Sequence, residues 1–167
     1  MANKSPDLRF SNFSKSWKQQ LLRESSNLIT KGTTPVDKSG IGTVNFVKVE
    51  NLIDGKIVPK SKISVEEHNG YLKRSRLEEK DVLFSIAGTL GRTAYVTKSI
   101  LPANTNQALA IIRGYKFDPN FFITTLGGKV VKEYIRKNPT IGAQPNLSLE
   151  QVGNLIITTP CLGNKRR

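Results

Sequence analysis

Short apolar runs separated by polar residues recur along this chain, and runs of this length predict β-strands. Four of them are 81–86, 92–98, 108–113 and 155–159. A fifth, 44–50, alternates apolar and polar residues, which predicts a strand with both faces partly covered. The Asp54-Gly55 pair that follows is typical of a tight turn, so we expect the strand to be closed there.

Two segments show the spacing of helices. Apolar residues recur at near-helical intervals in 17–28, which predicts a short helix there. A longer helical region should begin at Asp118, because the proline after it suits the first helical position. The glycine pair 127–128 should divide that region in two. Its apolar residues are spaced four apart and are Phe122, Leu126, Val130 and Tyr134.

Two further helix starts are marked by capping boxes. Ser64 is followed three residues later by Glu67, and Ser148 is followed by Gln151, so each serine can accept a backbone N–H of the first helical turn. Strands and short helices interleave irregularly, unlike the regular alternation of a doubly wound sheet. The pattern predicts an α+β domain over residues 1–160, with a twisted, mixed or mostly antiparallel sheet and short helices, and a basic tail at 161–167.

The most unusual property of the composition is its positive net charge. Its 167 residues include 26 Lys and Arg against 13 Asp and Glu, a net charge of +13. A field of that sign attracts nucleic acid, acidic membranes or acidic proteins. The cations are spread along the chain, which argues against a helix lying on a membrane, and no apolar run approaches the roughly 20 residues that cross a bilayer.

The compartment is indicated by two further features. The amino-terminal segment has no apolar region of the signal-peptide kind, and Cys161 is the only cysteine, so no intramolecular disulfide can form. Both features predict a cytoplasmic protein in a reducing compartment.

Residues suited to catalysis are sparse. His68 is the only histidine, which leaves neither an obvious general base nor the usual ligands of a zinc site. Phosphate-binding and glycine-rich cofactor loops do not occur, so we expect no cofactor, no metal and no catalytic residue. One enzyme alternative stays open: a small metal-dependent nuclease using Asp54, Glu78 and Lys80, which match an Asp upstream of Glu-x-Lys.

Hydroxyl, amide and cationic side chains point instead to a DNA-binding surface. Gly88 and Gly91 permit a tight turn that carries Thr89 and Arg92. Asn and Gln can pair with adenine, and Lys and Arg neutralise phosphates. Each of these residues could equally serve as a turn former, a cap or a solvated charge. The candidate DNA contacts are Lys31, Thr33, Thr34, Lys60, Lys62, Lys73, Arg74, Arg76, Thr89, Arg92, Asn104, Asn106, Gln107, Gln144 and Asn146.

The order of the motifs is more specific than any one of them. The succession is PDLRF at 6–10 with Phe13 and Trp17, KGTTP at 31–35, DVLFSIAGTLGR at 81–92, NTNQAL at 104–109 and GAQPNLS at 142–148. This order resembles a target recognition domain of the specificity subunit of type I restriction-modification enzymes, and the resemblance covers about residues 6–160.

The resemblance implies both a fold and a function. Such domains combine a twisted sheet with short helices and read one half of a bipartite site in double-stranded DNA, without chemistry of their own. Methylation with S-adenosylmethionine and ATP-driven cleavage belong to partner methyltransferase and restriction subunits. The resemblance therefore implies double-stranded DNA and these subunits as partners, although the spacer helices that dock the subunits in this family are not evident after Pro160. A third alternative is a decoy that binds restriction subunits and not DNA.

Overall fold

The computed structural model describes residues 17–138 and 145–160. Within these ranges the strands are β1 (Trp17–Leu21), β2 (Leu28–Lys31), β3 (Val44–Val47), β4 (Leu52–Ile53), β5 (Lys56–Ile57), β6 (Ser61–Ile63), β7 (Val82–Ser85), β8 (Thr93–Tyr95), β9 (Ala103–Thr105), β10 (Leu109–Arg113) and β11 (Ile156–Pro160). The α-helices are α1 (Val65–Asn69), α2 (Pro119–Leu126), α3 (Lys129–Lys137) and α4 (Leu149–Gly153).

The strands form one larger sheet and three smaller ones in the described part of the chain. Four strands in the order β2-β10-β7-β8 are antiparallel throughout. A second sheet has the order β6-β3-β9, in which β3 and β9 are parallel. The pairs β1-β11 and β4-β5 are antiparallel. The predicted α+β class with a mixed, mostly antiparallel sheet is therefore confirmed.

The four-stranded sheet is buried on both faces. Phe84 of β7 packs with Phe122 and Leu126 of α2 in one cluster of buried side chains. The neighbouring Leu83 points the other way, into a cluster with Val47 beside the second sheet. Because each face of β7 meets a hydrophobic layer, its sequence is a continuous apolar run without polar alternation.

The helices predicted after residue 63 are confirmed, with one difference in which residue of α3 faces the core. Ser64 and Ser148 cap α1 and α4, and Asp118 caps α2 by accepting two backbone N–H groups. The glycine pair 127–128 separates α2 from α3 and rotates the second helix. Val131 is therefore buried, whereas Val130, which the four-residue spacing assigned to the core, is 66% exposed.

The helix predicted over 17–28 is wrong. Residues Trp17–Leu21 form β1, which pairs antiparallel with β11 from Trp17 opposite Pro160 to Leu21 opposite Ile156. A single 3-10 turn over Leu22–Glu24 separates β1 from β2. Pairing with a strand more than 130 residues away outweighs the local spacing, because each strand satisfies the other's backbone groups.

Candidate nucleic-acid interface

The register of the four-stranded sheet brings three predicted segments to one end. Ser85, the last residue of β7, lies opposite Leu109, the first residue of β10. Lys31, the last residue of β2, lies opposite Ala110. Segments 31–34, 86–92 and 104–107 therefore meet at this end, which we call the turn end.

A close backbone contact holds segment 31–34 against segment 104–107. The N–H of Thr33 donates to the carbonyl oxygen of Thr105 at 2.9 Å. A Cβ on Gly32 would lie only 2.1 Å from the same oxygen, so no larger residue fits there. The glycine in the KGTTP motif therefore fixes where the threonines after it project.

The glycine turn 86–92 is a hairpin connection built around a buried hydroxyl. Ser85 Oγ donates to the carbonyl oxygen of Thr89 at 2.6 Å and accepts the backbone N–H of Arg92 at 2.7 Å. Gly88 and Gly91 have φ angles of 71° and 81°, a region that favours glycine. The turn thus has a defined shape, and it presents the exposed side chains of Thr89 and Arg92 to solvent.

Three adjoining clefts cover the turn end, with volumes of about 450, 230 and 430 Å³. Thr34 lines both the first and the second, and Asn106 lines both the second and the third, so the three clefts are neighbours. The predicted residues that line them are Lys31, Thr33, Thr34, Lys62, Arg74, Thr89, Arg92, Asn106 and Gln107. Residues far apart in the chain therefore share one surface.

Cations at the turn end have no ion pair among the described residues. The salt bridges in residues 17–138 and 145–160 join Arg113 to Asp81 and Glu78, and Lys129 to Glu133. Lys31, Arg74 and Arg92 take part in none of them and are exposed. Their charge is therefore available to an anion that approaches from solvent.

Carboxylates also border the clefts. Asp37 lines the second cleft, where the backbone N–H of Ser39 lowers the pKa of its carboxyl group, so it stays ionised at neutral pH. Glu67 Oε1 accepts the N–H groups of Val36 and Asp37, at 2.7 and 3.1 Å. The carboxylate of Glu67 was predicted to complete a capping box, and it instead ties α1 to the loop after Thr34.

One predicted contact must be withdrawn. Asn104 is fully buried, and its amide nitrogen donates to the carbonyl oxygen of Leu72 at 2.8 Å and to Ser75 Oγ at 3.1 Å. Its amide oxygen meets Nδ1 of His68. Asn104 therefore joins β9 to the segment around α1 and has no surface from which to read a base.

The remaining predicted residues are placed less centrally. Arg76 is partly buried, and its guanidinium donates to the carbonyl oxygen of His68 at 2.9 Å and to the side chain of Asn69. Lys60 and Lys73 are exposed but line none of the three clefts. Asn146 is exposed and forms a β-bridge with Ala87 beside the glycine turn.

Gln144, the last of the predicted contacts, lies outside the described residues.

Sequence reasoning missed Tyr71, Lys38 and Lys48, which also line these clefts. Tyr71 is 64% exposed and lines the same cleft as Arg74. The signal was a single aromatic residue in a polar, basic segment, where it has few apolar neighbours in sequence. An exposed aromatic ring in a cleft that is also lined by an arginine is suited to apolar contact with, or stacking on, a base.

The residues of the nuclease alternative are not brought together as a metal site. The Glu78 carboxylate pairs with Arg113. Asp54 lies in the β4-β5 turn and lines a separate cavity of about 680 Å³ with Tyr95 and Pro119. Over 17–138 and 145–160 there is no cluster of three or more His, Cys, Asp or Glu side chains that could hold an ion. Nor does a helix in those ranges have the length and apolar character to cross a membrane.

Comparison with known proteins gives consistent results. The family model for the type I restriction modification DNA specificity domain matches residues 15–167. A search of curated proteins found no match. Among solved structures, a type I restriction-modification S subunit from M. genitalium is 14% identical, with a TM-score of 0.62 over 95% of this chain and 38% of that one.

Two further structures have similar folds. One comes from work on complex assembly and conformational transition of the type I R-M system, at 16% identity and a TM-score of 0.62 over 95% of this chain. The other is an HsdS subunit from Thermoanaerobacter tengcongensis, at 17% identity and a TM-score of 0.56 over 93% of this chain. This chain spans 37% and 35% of their respective lengths.

Proposed function

Since this chain belongs to the family of type I restriction-modification DNA specificity domains, we propose that its turn end is the surface that binds and reads double-stranded DNA. Specificity domains are the non-catalytic part of these systems, which agrees with the residues found at the turn end: cations, hydroxyls and amides, with the carboxylates of Asp37 and Glu50 at the border of the clefts. The observation that carries the proposal is the convergence of segments 31–34, 86–92 and 104–107 on one surface, whose Lys31, Arg74 and Arg92 make no ion pair among the described residues.

The two kinds of side chain at the turn end have different tasks. Lys31, Arg74 and Arg92 neutralise phosphates and set the affinity, because contacts to the DNA backbone carry no sequence information. Thr34 and Gln107, whose side chains are hydrogen-bonded to each other, read base edges in the major groove. The mutual hydrogen bond limits the rotamers of both, so less freedom is lost when they meet a base.

In this proposal, DNA modification and cleavage are carried out by partner subunits. We propose that this domain reads one half of a bipartite site, and that methyltransferase and restriction subunits modify or cleave the DNA to which it is bound. The comparison structures that it matches are roughly 2.5 to 3 times longer, which leaves room for a second half-site reader and for docking elements in the complete protein. The cytoplasm is the compartment that fits DNA recognition, since the DNA lies there.

A selection experiment tests the function. The purified protein is incubated with a pool of randomised duplexes, at low and at near-physiological salt, and the retained DNA is sequenced over several rounds. We expect enrichment of one short asymmetric motif at both salt concentrations. Retention without any enriched motif would contradict sequence reading, and no retention at low salt would contradict DNA binding altogether.

A further inference from the structure

Helix α3 is rich in basic residues, and none of them is among the DNA contacts predicted from the sequence. Its inner side is fixed to the protein, since Val131 is buried in the core and Ile135 packs against the same cluster. Its outer side carries Lys129, Lys132 and Arg136, which line one shallow concavity of about 310 Å³ together with Glu133. The side chain of Lys129 is 88% exposed.

The helix flanks the turn end. A Cβ placed on Gly91 would lie 3.0 Å from Cδ1 of Ile135, so α3 packs directly against the glycine turn. Near the start of α3, a Cβ on Gly127 would lie 4.0 Å from Oγ1 of Thr93, the residue after Arg92. Helix α3 therefore adjoins the glycine turn, which is part of the proposed DNA surface.

We propose that the outer side of α3 is a second contact surface for the DNA backbone, continuous with the turn end; this inference rests on the proposed function. The concavity on the helix is lined by three cations and one carboxylate, and the only ion pair that the helix makes in the described structure is the 3.9 Å contact between Lys129 and Glu133. Lysine and arginine at solvent-exposed positions suit phosphate oxygens.

The length of the helix fits this partner. Its nine residues extend about 13 Å, a distance over which duplex DNA carries about eight phosphate charges. Three cations spaced three and four residues apart can follow one edge of a groove over that distance. Such contacts add affinity and fix the position of the domain, without a preference among bases.

The test compares two variants with the same net charge. In the first, Lys129, Lys132 and Arg136 are replaced by glutamine. In the control, Lys80, Lys98 and Lys116 are replaced by glutamine; they lie beyond the strand ends of β7, β8 and β10 that are opposite the turn end. Binding to a fluorescein-labelled duplex of mixed sequence is measured between about 50 and 200 mM salt.

The salt dependence separates the outcomes. We expect the slope of log affinity against log salt to fall by about 2.7 in the α3 variant, since each lost phosphate contact removes about 0.9, and to stay at the wild-type value in the control. An α3 variant with the wild-type slope, while wild-type protein binds DNA, would overturn this inference alone. Wild-type protein that fails to bind would overturn the proposed function.

A second readout locates the contact. Ethylation of individual phosphates should weaken wild-type binding at a flanking stretch of backbone, and that interference should disappear in the α3 variant but remain in the control. An unchanged interference pattern would assign the basic side of α3 to something other than DNA. Circular dichroism and urea unfolding of both variants verify that each is folded.

Discussion

The two ends of the four-stranded sheet use the same residue types in opposite ways. Beyond the strand ends away from the glycine turn, the guanidinium of Arg113 donates to both carboxylate oxygens of Asp81, at 2.7 and 2.8 Å, and also pairs with Glu78. Asp81 is fully buried, and its hydrogen bond raises the pKa of Arg113 above the usual value. At the turn end, Arg92 is exposed and makes no ion pair among the described residues.

The contrast between the two ends shows how the cations of a basic protein can be assigned to structural or binding roles. A guanidinium that neutralises a buried carboxylate stabilises the fold and adds little to the outward field, whereas one held on a rigid turn without a partner attracts external anions. Net charge alone, +13 in this chain, does not separate the two uses. The separation requires the tertiary contacts of each residue.

Replacing Arg113 by methionine should have the largest effect on stability. The change leaves the carboxylate of Asp81 buried without its partner, so we expect the free energy of unfolding to fall by about 3 to 5 kcal/mol. Urea unfolding followed by circular dichroism measures this loss. The matched control is Arg92→Met, which should change the free energy of unfolding by no more than about 0.5 kcal/mol. Equal losses in the two variants would remove the distinction between the ends.

Asn104 and Gln107 extend the comparison to amides that lie three residues apart. Asn104→Ala should lower the free energy of unfolding by about 1 to 3 kcal/mol, because the carbonyl oxygen of Leu72 and the hydroxyl of Ser75 lose a buried donor. Urea unfolding measures the loss, and selection from a randomised duplex pool should return the same motif as for wild-type protein. A changed motif with unchanged stability would restore Asn104 to the set of base readers.

Gln107→Ala should behave in the opposite way. Its side chain is exposed, so we expect stability to stay within about 0.5 kcal/mol of wild type. Binding to the preferred site should weaken by about 1 to 3 kcal/mol, with no change on duplexes of unrelated sequence. Competition binding with the two duplexes measures this difference. Equal weakening on both would make Gln107 a backbone contact.

Much of the fold was predictable from local sequence. The capped helices α1, α2 and α4 and the strands around the glycine turn follow from serine and aspartate caps and from short apolar runs. Strand β1 was not predictable, because its partner β11 lies at the other end of the chain. The apolar residues of the β1 segment are also spaced as in a helix. The parallel pairing of β3 with β9 was hidden for the same reason, since only tertiary packing creates it.

The candidate site was predictable in composition and not in arrangement. Segments 31–34 and 86–92 were found because glycine and threonine next to cations are recognisable in sequence. Burial decides the rest: Asn104 and Gln107 belong to one amide-rich segment, yet only Gln107 reaches the surface. The basic side of α3 was not predicted, because the apolar residues of this segment indicate a core helix and the cations between them resemble an ordinary solvated helix face.

The most direct test of the DNA surface is a charge-matched comparison of the two ends. Lys31, Arg74 and Arg92 are replaced by glutamine in one variant, and Lys80, Lys98 and Lys116 in the other. The salt dependence of binding to one duplex is then measured for both. We predict a slope lower by about 2.7 for the turn-end variant and an unchanged slope for the other. Equal slopes in the two variants would contradict the assignment of the DNA surface to the turn end.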